Sequence, residues 1–418
     1  MLFLYNLSIN TADITKSSAA APGLFVALLL FFLCLTRPSL FGQDFNYIGG
    51  FGIVLTTFVF LLTRPGVPVI VARPSPELNI AVALLVFWSY AFGLTIFFGN
   101  SNLPFLFKAS AAGFSVPICF LLLSANSNLV DRTFSVFARL NSALGYSIGI
   151  TYCLLPIVGY SSLRLFTYAI GGYDDADVDS GNGDVLFPFS VVYGNLIEYG
   201  IYRFCGIYRE AGIAQAFFVW SLMYLLYSRA KVIWIIGSLL GALLCGSTAV
   251  VFSLGAAALV HFGSRSVQRP RYLLLLAVLL SALGLLLVFA PGLGLEDKAV
   301  THGTSLTDRR DAMAMALPSG DNWRWLFGHG MFYESPKKVE NVGINAISAI
   351  FHIGVIGFVL YLATFFAGLF GTRSFRDACR YLALISPLLV TSLFFQPVID
   401  APLILSVLFF FPPPAPKS

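Results

Sequence analysis

The sequence predicts an all-α protein that crosses a membrane about 12 times and forms a single integral domain over residues 1–418. Three observations predict this class. The chain is 58% hydrophobic and only 11% charged, its apolar stretches recur along the whole length, and its basic residues fall between alternate stretches. Such a composition excludes an ordinary soluble globule. The net charge of +5 reflects basic connections on one membrane face, so no nucleic-acid partner is expected.

The number and positions of the spans follow from the lengths of the apolar stretches, because a helix needs roughly 20 residues to cross a bilayer core. The first apolar run, Pro22 to Leu35, lacks a cleavage site of small residues and is predicted to span rather than to be removed. Near the end of the chain, Gln396, Pro397 and Asp400 indicate either a short outer turn or a re-entrant break. The candidate spans centre near residues 29, 54, 88, 114, 151, 219, 238, 255, 281, 357, 388 and 404.

Charge placement orients these spans and predicts both termini in the cytoplasm. Short cytoplasmic loops are rich in Lys and Arg, and every second predicted loop fits this rule. Two long loops, about 161–210 and 291–342, then lie outside, and among the short outer loops only Arg37 is an exception. The predicted inner loops carry Arg64 and Arg73; Arg132 and Arg139; Arg229 and Lys231; Arg265, Arg269 and Arg271; Arg373, Arg376 and Arg380; and Lys417.

The first long loop ends in the segment RFCGIYREAG, where a span resumes near Ala211. Its side chains Arg203, Arg209 and Glu210 place two guanidinium groups and a carboxylate at the membrane boundary. Arginine suits phosphate because its planar fork donates paired hydrogen bonds and stays charged when partly desolvated. Snorkelling to the interface, or an internal ion pair, is the alternative reading.

The segment LCGSTAVVFSLGAAAL places Ser247 and Thr248 beside Gly246 near the outer end of a span. Small and hydroxyl-bearing residues most often serve close helix packing in membranes, and that role is favoured here.

The second long loop holds further candidates in the stretch DRRDAMAMALPSGDNWRWLFGHG. Arg309 and Arg310 form the better anion-binding pair, and Arg324 lies in a short amphipathic stretch with two tryptophans that suits the interface. His329, between two glycines, is a candidate base or phosphate ligand, although a lone loop histidine usually has neither role. Glu340 follows as a further candidate base.

The acidic run from Asp174 to Asp184 does not fit a calcium loop. Ser180 occupies the position that needs glycine, and Leu186 the position that needs glutamate, so a solvated acidic loop is expected. The cysteines lie mostly in apolar spans and form no metal-ligand spacing. No metal or other cofactor is therefore expected.

Three stretches resemble bacterial polysaccharide polymerases of the O-antigen polymerase/ligase superfamily. RFCGIYREAGIAQAF is similar to the family element "R…GIF.EPG…F", with Ala211 in place of proline. LCGSTAVVFSLGAAAL is similar to the "ST.G" helix, from which Ala249 and Val250 depart. LFGHG followed by ENVGINAISAIFHIGVIGFVLYL is similar to the element "G.G … N…L…G..G". The likeness covers about residues 200 to 370.

The resemblance implies a GT-C-like glycosyltransferase that takes glycan from an undecaprenyl-diphosphate carrier on the periplasmic face, without nucleotide sugar or cofactor. It implies a place in the bacterial inner membrane and diphosphate binding by Arg203 and Arg209, then by Arg309 and Arg310. Arg324 is a further candidate for diphosphate binding in the same loop. Glu210, Glu340 and His329 are the candidate catalytic bases. The expected partners are the carrier-linked oligosaccharide, membrane lipid and a chain-length regulator.

Two alternatives stay open at this point. Ligases of the superfamily place a histidine just before the asparagine of the closing element, and Gly343 stands there in this chain. That difference favours a repeat-unit polymerase over a ligase. A transporter or lipid-glycan flippase would also need many spans, but it does not explain two bulky outer loops.

Overall fold

The computed structural model describes residues 21–63, 75–98, 103–124, 127–169, 182–193, 202–266, 271–289, 322–331, 346–347, 349–372, 374–395 and 401–411. Within these residues the protein is mainly helical. The helices of the first half are α1 (Ala21–Cys34), α2 (Gly42–Thr63), α3 (Pro76–Phe98), α4 (Leu103–Ser124), α5 (Ser127–Val158) and the short α6 (Tyr160–Leu163). Those of the second half are α7 (Ala211–Tyr227), α8 (Val232–Leu244), α9 (Ala249–Ser266), α10 (Arg271–Phe289), α11 (Asn322–Phe327), α12 (Ile350–Phe366), α13 (Phe375–Phe394) and α14 (Pro402–Val407).

Several of these helices suit a membrane by length and composition. In the described part of the chain, 5 are long and apolar enough to cross it: Phe45–Thr63, Pro76–Phe98, Asn128–Val158, Ile350–Leu369 and Phe375–Phe394. Shorter apolar helices of 10–17 residues accompany them, including Ala211–Tyr227 and Val232–Leu244. A helical membrane-embedded protein is thereby confirmed, whereas the total of about 12 spans stays a prediction.

The connections between the long helices gather at two ends of the bundle. At one end, the turn between α1 and α2 and the turn between α8 and α9 meet a small sheet, and we call this the sheet end. At the other end Tyr227 closes α7 beside His261 of α9, and the Asn79 side chain donates to the Phe370 carbonyl. Arg229, Arg265 and Arg380 belong to this second end, which we call the His261 end.

Helices α5 and α8 pack through backbone contact rather than through large side chains. A Cβ added to Gly145 of α5 would overlap the Gly237 carbonyl oxygen of α8 and would lie 2.8 Å from the Gly241 nitrogen. The Ser142 hydroxyl strengthens the contact by donating to the Trp234 carbonyl at 2.7 Å. Close approach of this kind is how helices associate where lipid supplies no hydrophobic drive between them.

Gly145→Ala is therefore expected to lower the thermal stability of the protein in detergent, because the new methyl group forces the two backbones apart. Overpacking costs about 1–3 kcal/mol where neighbours can move, and a carbonyl oxygen cannot move alone. Gly149→Ala, one turn along α5, is the matched control, since its Cβ would meet only Leu240 and Leu244 at 3.8 Å. Equal melting temperatures for the two variants would contradict this account of the interface.

A small antiparallel sheet corrects the expectation of an all-α chain. Strands β1 (Arg164–Ala169), β2 (Asn182–Leu186) and β3 (Ser190–Tyr193) form it in the order β1-β2-β3. Asp184, expected in a solvated acidic loop, lies in β2 and accepts hydrogen bonds of 2.6 Å from both Tyr160 and Thr167. Burial, with the bond to Asp184, raises the pKa of Tyr160, so its hydroxyl remains a donor. The rest of the acidic run lies outside the described residues.

Several basic residues predicted in inner loops are helical instead. Arg132 and Arg139 lie in the 32-residue α5, and Arg265 and Arg380 lie in α9 and α13. Arginine is a good helix former, and its long side chain reaches the interface from within a helix. Charge therefore did not mark the residue at which these helices begin or stop.

The predicted twelfth span, near residue 404, is wrong as a full helix. Helix α14 has only 6 residues, and it lies in a segment, 401–410, that is buried throughout. The Leu403 N–H donates to the Arg37 carbonyl at 3.1 Å at the sheet end. The Phe410 ring lies 4.4 Å from that of Tyr224, and the Phe411 ring stacks on that of Tyr381 at 4.8 Å, both toward the His261 end. The segment thus runs through the bundle interior rather than against lipid.

Candidate functional site

The segment 202–210 between the sheet and α7 carries the predicted residues Arg203, Arg209 and Glu210. Its apolar side chains Phe204 and Tyr208 are fully buried and anchor it against the bundle. On either side of these anchors the charged side chains stay partly exposed. The alternation fixes the backbone while leaving guanidinium groups near the surface of the sheet end.

Three other elements hold this segment in place by backbone hydrogen bonds. Phe204 N–H donates to the Cys245 carbonyl in the α8–α9 turn at 3.1 Å, and Cys205 N–H donates to Val191 of β3 at 2.8 Å. On the third side, Arg209 N–H donates to the Pro38 carbonyl at 3.1 Å. The arginines of segment 202–210 therefore lie on a frame tied to the membrane helices.

The contact with Pro38 brings in an arginine that the sequence did not assign to this site. Arg37 lies in the turn between α1 and α2, where its N–H donates to the Asn46 side chain at 2.9 Å. The next residues, Pro38 and Ser39, pair with Arg209 and Tyr208. The one signal in the sequence was that Arg37 breaks the charge rule for short outer loops. We refer to Arg37, Arg203 and Arg209 as the arginine cluster.

The α8–α9 turn lies directly against Arg203. Gly246 has φ +71, and a Cβ there would be 3.0 Å from the Tyr202 carbonyl oxygen and 3.5 Å from the Arg203 Cα. Glycine is needed both for the positive φ and for this approach. The next residues, Ser247 and Thr248, are buried at 3% and 6% exposure, as suits the packing role that the sequence favoured.

The electrostatics of the cluster are strongly positive. The Nε atoms of all three arginines are buried from solvent, and that of Arg203 has no hydrogen-bond partner among the described residues. Glu210 forms a long ion pair with Arg209 (Nε to Oε1, 3.9 Å). It also occupies the N-cap position of α7 without capping the helix through its side chain. Partly desolvated guanidinium groups bind an anion more strongly than exposed ones.

An apolar groove lies between α9 and α10, beginning one helical turn beyond Thr248. Its volume is about 320 Å³, and its walls include Val251 and Gly255 of α9 and Leu280 and Gly284 of α10. Because Gly255 and Gly284 carry no side chain, the groove keeps its depth. The groove therefore begins about one helical turn along α9 from the turn that contacts Arg203.

His329 and Arg324 lie in a different part of the structure, on α11 and the turn that follows it. Gly328 and Gly354, with φ of +83 and +67, let this turn pack backbone to backbone on α12. The His329 ring stacks on Phe351 at 4.2 Å, and its Nδ1 lies 2.9 Å from the Phe351 carbonyl. Since a carbonyl only accepts, Nδ1 carries the proton in this contact, and Nε2 is the basic nitrogen of the neutral ring.

The Arg324 guanidinium lies 5.4 Å from the ring of Trp323 in the same helix. Trp323 and Trp325 are 48% and 42% exposed, consistent with a short helix resting at an interface. Arg309, Arg310 and Glu340 lie outside the described residues. The structure thus brings Arg203, Arg209 and Glu210 together and adds Arg37.

Among the described residues, no three His, Cys, Asp or Glu side chains lie together as metal ligands would. Comparison of the chain with protein-family models gave no match, and comparison with curated protein sequences gave none either.

Proposed function

We propose that this protein is a polysaccharide repeat-unit polymerase, a glycosyltransferase of the bacterial inner membrane that uses an undecaprenyl-diphosphate carrier on the periplasmic face. The donor is the growing glycan on its carrier, and the acceptor is a lipid-linked repeat unit. The observation that carries the proposal is the convergence of Arg37, Arg203 and Arg209 at the sheet end, beside an apolar groove.

This arrangement suits an amphiphile with a doubly charged head and a long apolar tail. Guanidinium groups complement the diphosphate in charge and in geometry. The groove between α9 and α10 offers apolar walls to the first isoprenoid units of the tail. A soluble anion would need the cluster but not the groove, which is why a lipid-linked substrate is favoured.

In this reaction, charge stabilisation by the arginines matters more than protonation of the leaving group by a general acid. The acceptor hydroxyl attacks the anomeric carbon of the donor, and the bond from that carbon to the carrier phosphate oxygen breaks. The carrier diphosphate leaves with the bonding electron pair, and it is a good leaving group without protonation. Stabilising its developing negative charge with fixed, partly desolvated cations is therefore the larger contribution.

The acceptor hydroxyl must lose its proton to a base. Glu210 is the candidate within the described site, because it lies beside Arg209 on the same segment. Glu340 and His329 are the other two candidates, and the Nε2 atom of His329 is the basic nitrogen of the neutral ring. Variants at each position, compared by the pH dependence of polymer formation, would separate them.

The test is the size distribution of surface and carrier-linked glycan in a strain that lacks the gene. A polymerase predicts single repeat units transferred onto their final acceptor, with long chains restored by the wild-type gene. Long chains that remain on the carrier would instead indicate a ligase. Single repeats retained on the cytoplasmic face would indicate a flippase, and unchanged glycan would contradict all three assignments.

A further inference from the structure

A second cationic cluster lies at the His261 end, on the opposite side of the bundle from the proposed active site. Its centre is a hydrogen bond of 2.8 Å between the Tyr227 hydroxyl and His261 Nδ1. The Arg380 guanidinium lies 5.0 Å from the centre of the Tyr227 ring. The ends of α7, α9 and α13 therefore meet around one aromatic pair.

Positive charge is concentrated at this point. Arg265 and Arg380 both interact electrostatically with Tyr227 and His261, and Arg229 and Arg265 act on Arg380. Among the described residues, the carboxylate that acts on Arg380 is Asp377, which also accepts a hydrogen bond of 2.8 Å from Ser374. One carboxylate does not balance three guanidinium groups, so the cluster has an excess of positive charge.

The rule that basic residues face the cytoplasm explains charge at this end but not this geometry. An arginine that only orients a span can stay exposed, as Arg132 does. Arg380 is half-buried over the Tyr227 ring, and Arg229 and Arg265 lie exposed within electrostatic reach of it. The φ of 52 at Arg229 belongs to the turn that ends α7, where the Ala230 N–H donates to the Leu225 carbonyl at 3.0 Å. One half-buried guanidinium and two exposed ones therefore lie near one another where α7, α9 and α13 meet.

Exposed aromatic side chains flank the cluster on the outside of the bundle. Phe375, at the start of α13, is 78% exposed, and Phe370, just before it, is 71% exposed. Apolar side chains next to a cationic cluster suit a ligand with an anionic head and apolar chains.

We propose that Arg229, Arg265 and Arg380 bind the phosphate of an anionic phospholipid headgroup between the ends of α7, α9 and α13. The guanidinium groups of Arg265 and Arg380 donate to the phosphate oxygens, and Phe370 and Phe375 contact the acyl chains. The site is separate from the arginine cluster of the sheet end and does not depend on the proposed polymerase activity.

The experiment measures lipid binding to the purified full-length protein by native mass spectrometry. The probes are phosphatidylglycerol, phosphatidylcholine and the soluble headgroup analogue glycerol 3-phosphate. We expect phosphatidylglycerol to bind, phosphatidylcholine to bind much more weakly, and Arg265→Gln with Arg380→Gln to weaken phosphatidylglycerol binding about tenfold or more. Arg132→Gln removes the same charge from an exposed position at the same end and should change binding little.

The outcomes separate the possible ligands. Equal binding of phosphatidylglycerol by the wild type and the double variant would overturn the site, as would equal binding of the two phospholipids. Glycerol 3-phosphate that competes as well as the lipid would assign the site to a soluble phosphate and overturn the lipid assignment. If the double variant fails to fold, the salt dependence of lipid binding to the wild-type protein tests the site instead. Its binding of phosphatidylglycerol, but not of phosphatidylcholine, should fall steeply as salt is raised.

Discussion

Arg203→Ala and Arg209→Ala are each expected to abolish long polymer while the protein remains in the membrane at its normal level. Each guanidinium lies on a backbone tied to the sheet, the α1–α2 turn or the α8–α9 turn, so it is positioned before substrate arrives. Removing one such preorganised group costs a rate factor of roughly 10²–10³ in enzymes that stabilise developing negative charge. A loss of that size leaves single repeats as the main product in a complemented deletion strain.

Two comparisons make this prediction specific. Arg164→Ala removes an arginine from the same end of the bundle, where it forms a 3.9 Å contact with Asp184 in the sheet, and it should support normal polymer. Arg209→Lys keeps the charge but loses the planar fork, so an intermediate chain length is expected. Normal long polymer from both alanine variants would remove the arginine cluster from the mechanism.

Arg37→Ala is expected to have an effect of similar size, roughly 10²-fold or more in rate, because it removes the third cation of the same cluster. The turn itself should survive the change. Its contacts use the backbone of residue 37: the N–H donates to Asn46, and the carbonyl accepts from Leu403. The measurement is again glycan length in the complemented strain, with membrane protein quantified in parallel.

A matched control for Arg37 is Arg132→Ala, which removes an exposed arginine at the opposite end of the bundle. It should leave chain length unchanged. Full-length polymer with Arg37→Ala, alongside loss with Arg209→Ala, would show that Arg37 lies near the site without contributing to it. Loss of the Arg37→Ala protein from the membrane would show instead that its side chain stabilises the fold.

The helical membrane class could be predicted from the sequence because apolar length and charge asymmetry act locally along the chain. The ends of the helices could not. Arg132 and Arg139 were assigned to a loop, although α5 continues through both, because charge reports where the chain leaves lipid and not where its hydrogen bonding stops. The sheet was missed for a related reason: its strands, of 4 to 6 residues, give too short a pattern beside long apolar runs.

Part of the candidate site was visible in the sequence. Arg203, Arg209 and Glu210 are neighbours in the chain, so their proximity required no knowledge of the fold. Arg37 is separated from Arg209 in the chain by helices α2 to α6 and the three strands, and the pairing of Pro38 with Arg209 brings it near. Such a contact depends on tertiary packing, and the sequence showed only that Arg37 stood on the unexpected side of the membrane.

The buried segment 401–410 has a consequence for biosynthesis. In the described part of the chain, eleven helices of 13 to 32 residues are made by the ribosome before this segment, and α1 and α4 are among those that contact it. During translation those helices enter the bilayer before segment 401–410 is available to fill the bundle interior. Its lining, including Phe134 and Trp220, then lacks the Phe410 ring that later packs on it. The bundle can therefore close around its centre only late in synthesis, and until then the half-assembled protein is a natural target for membrane chaperones and quality-control proteases.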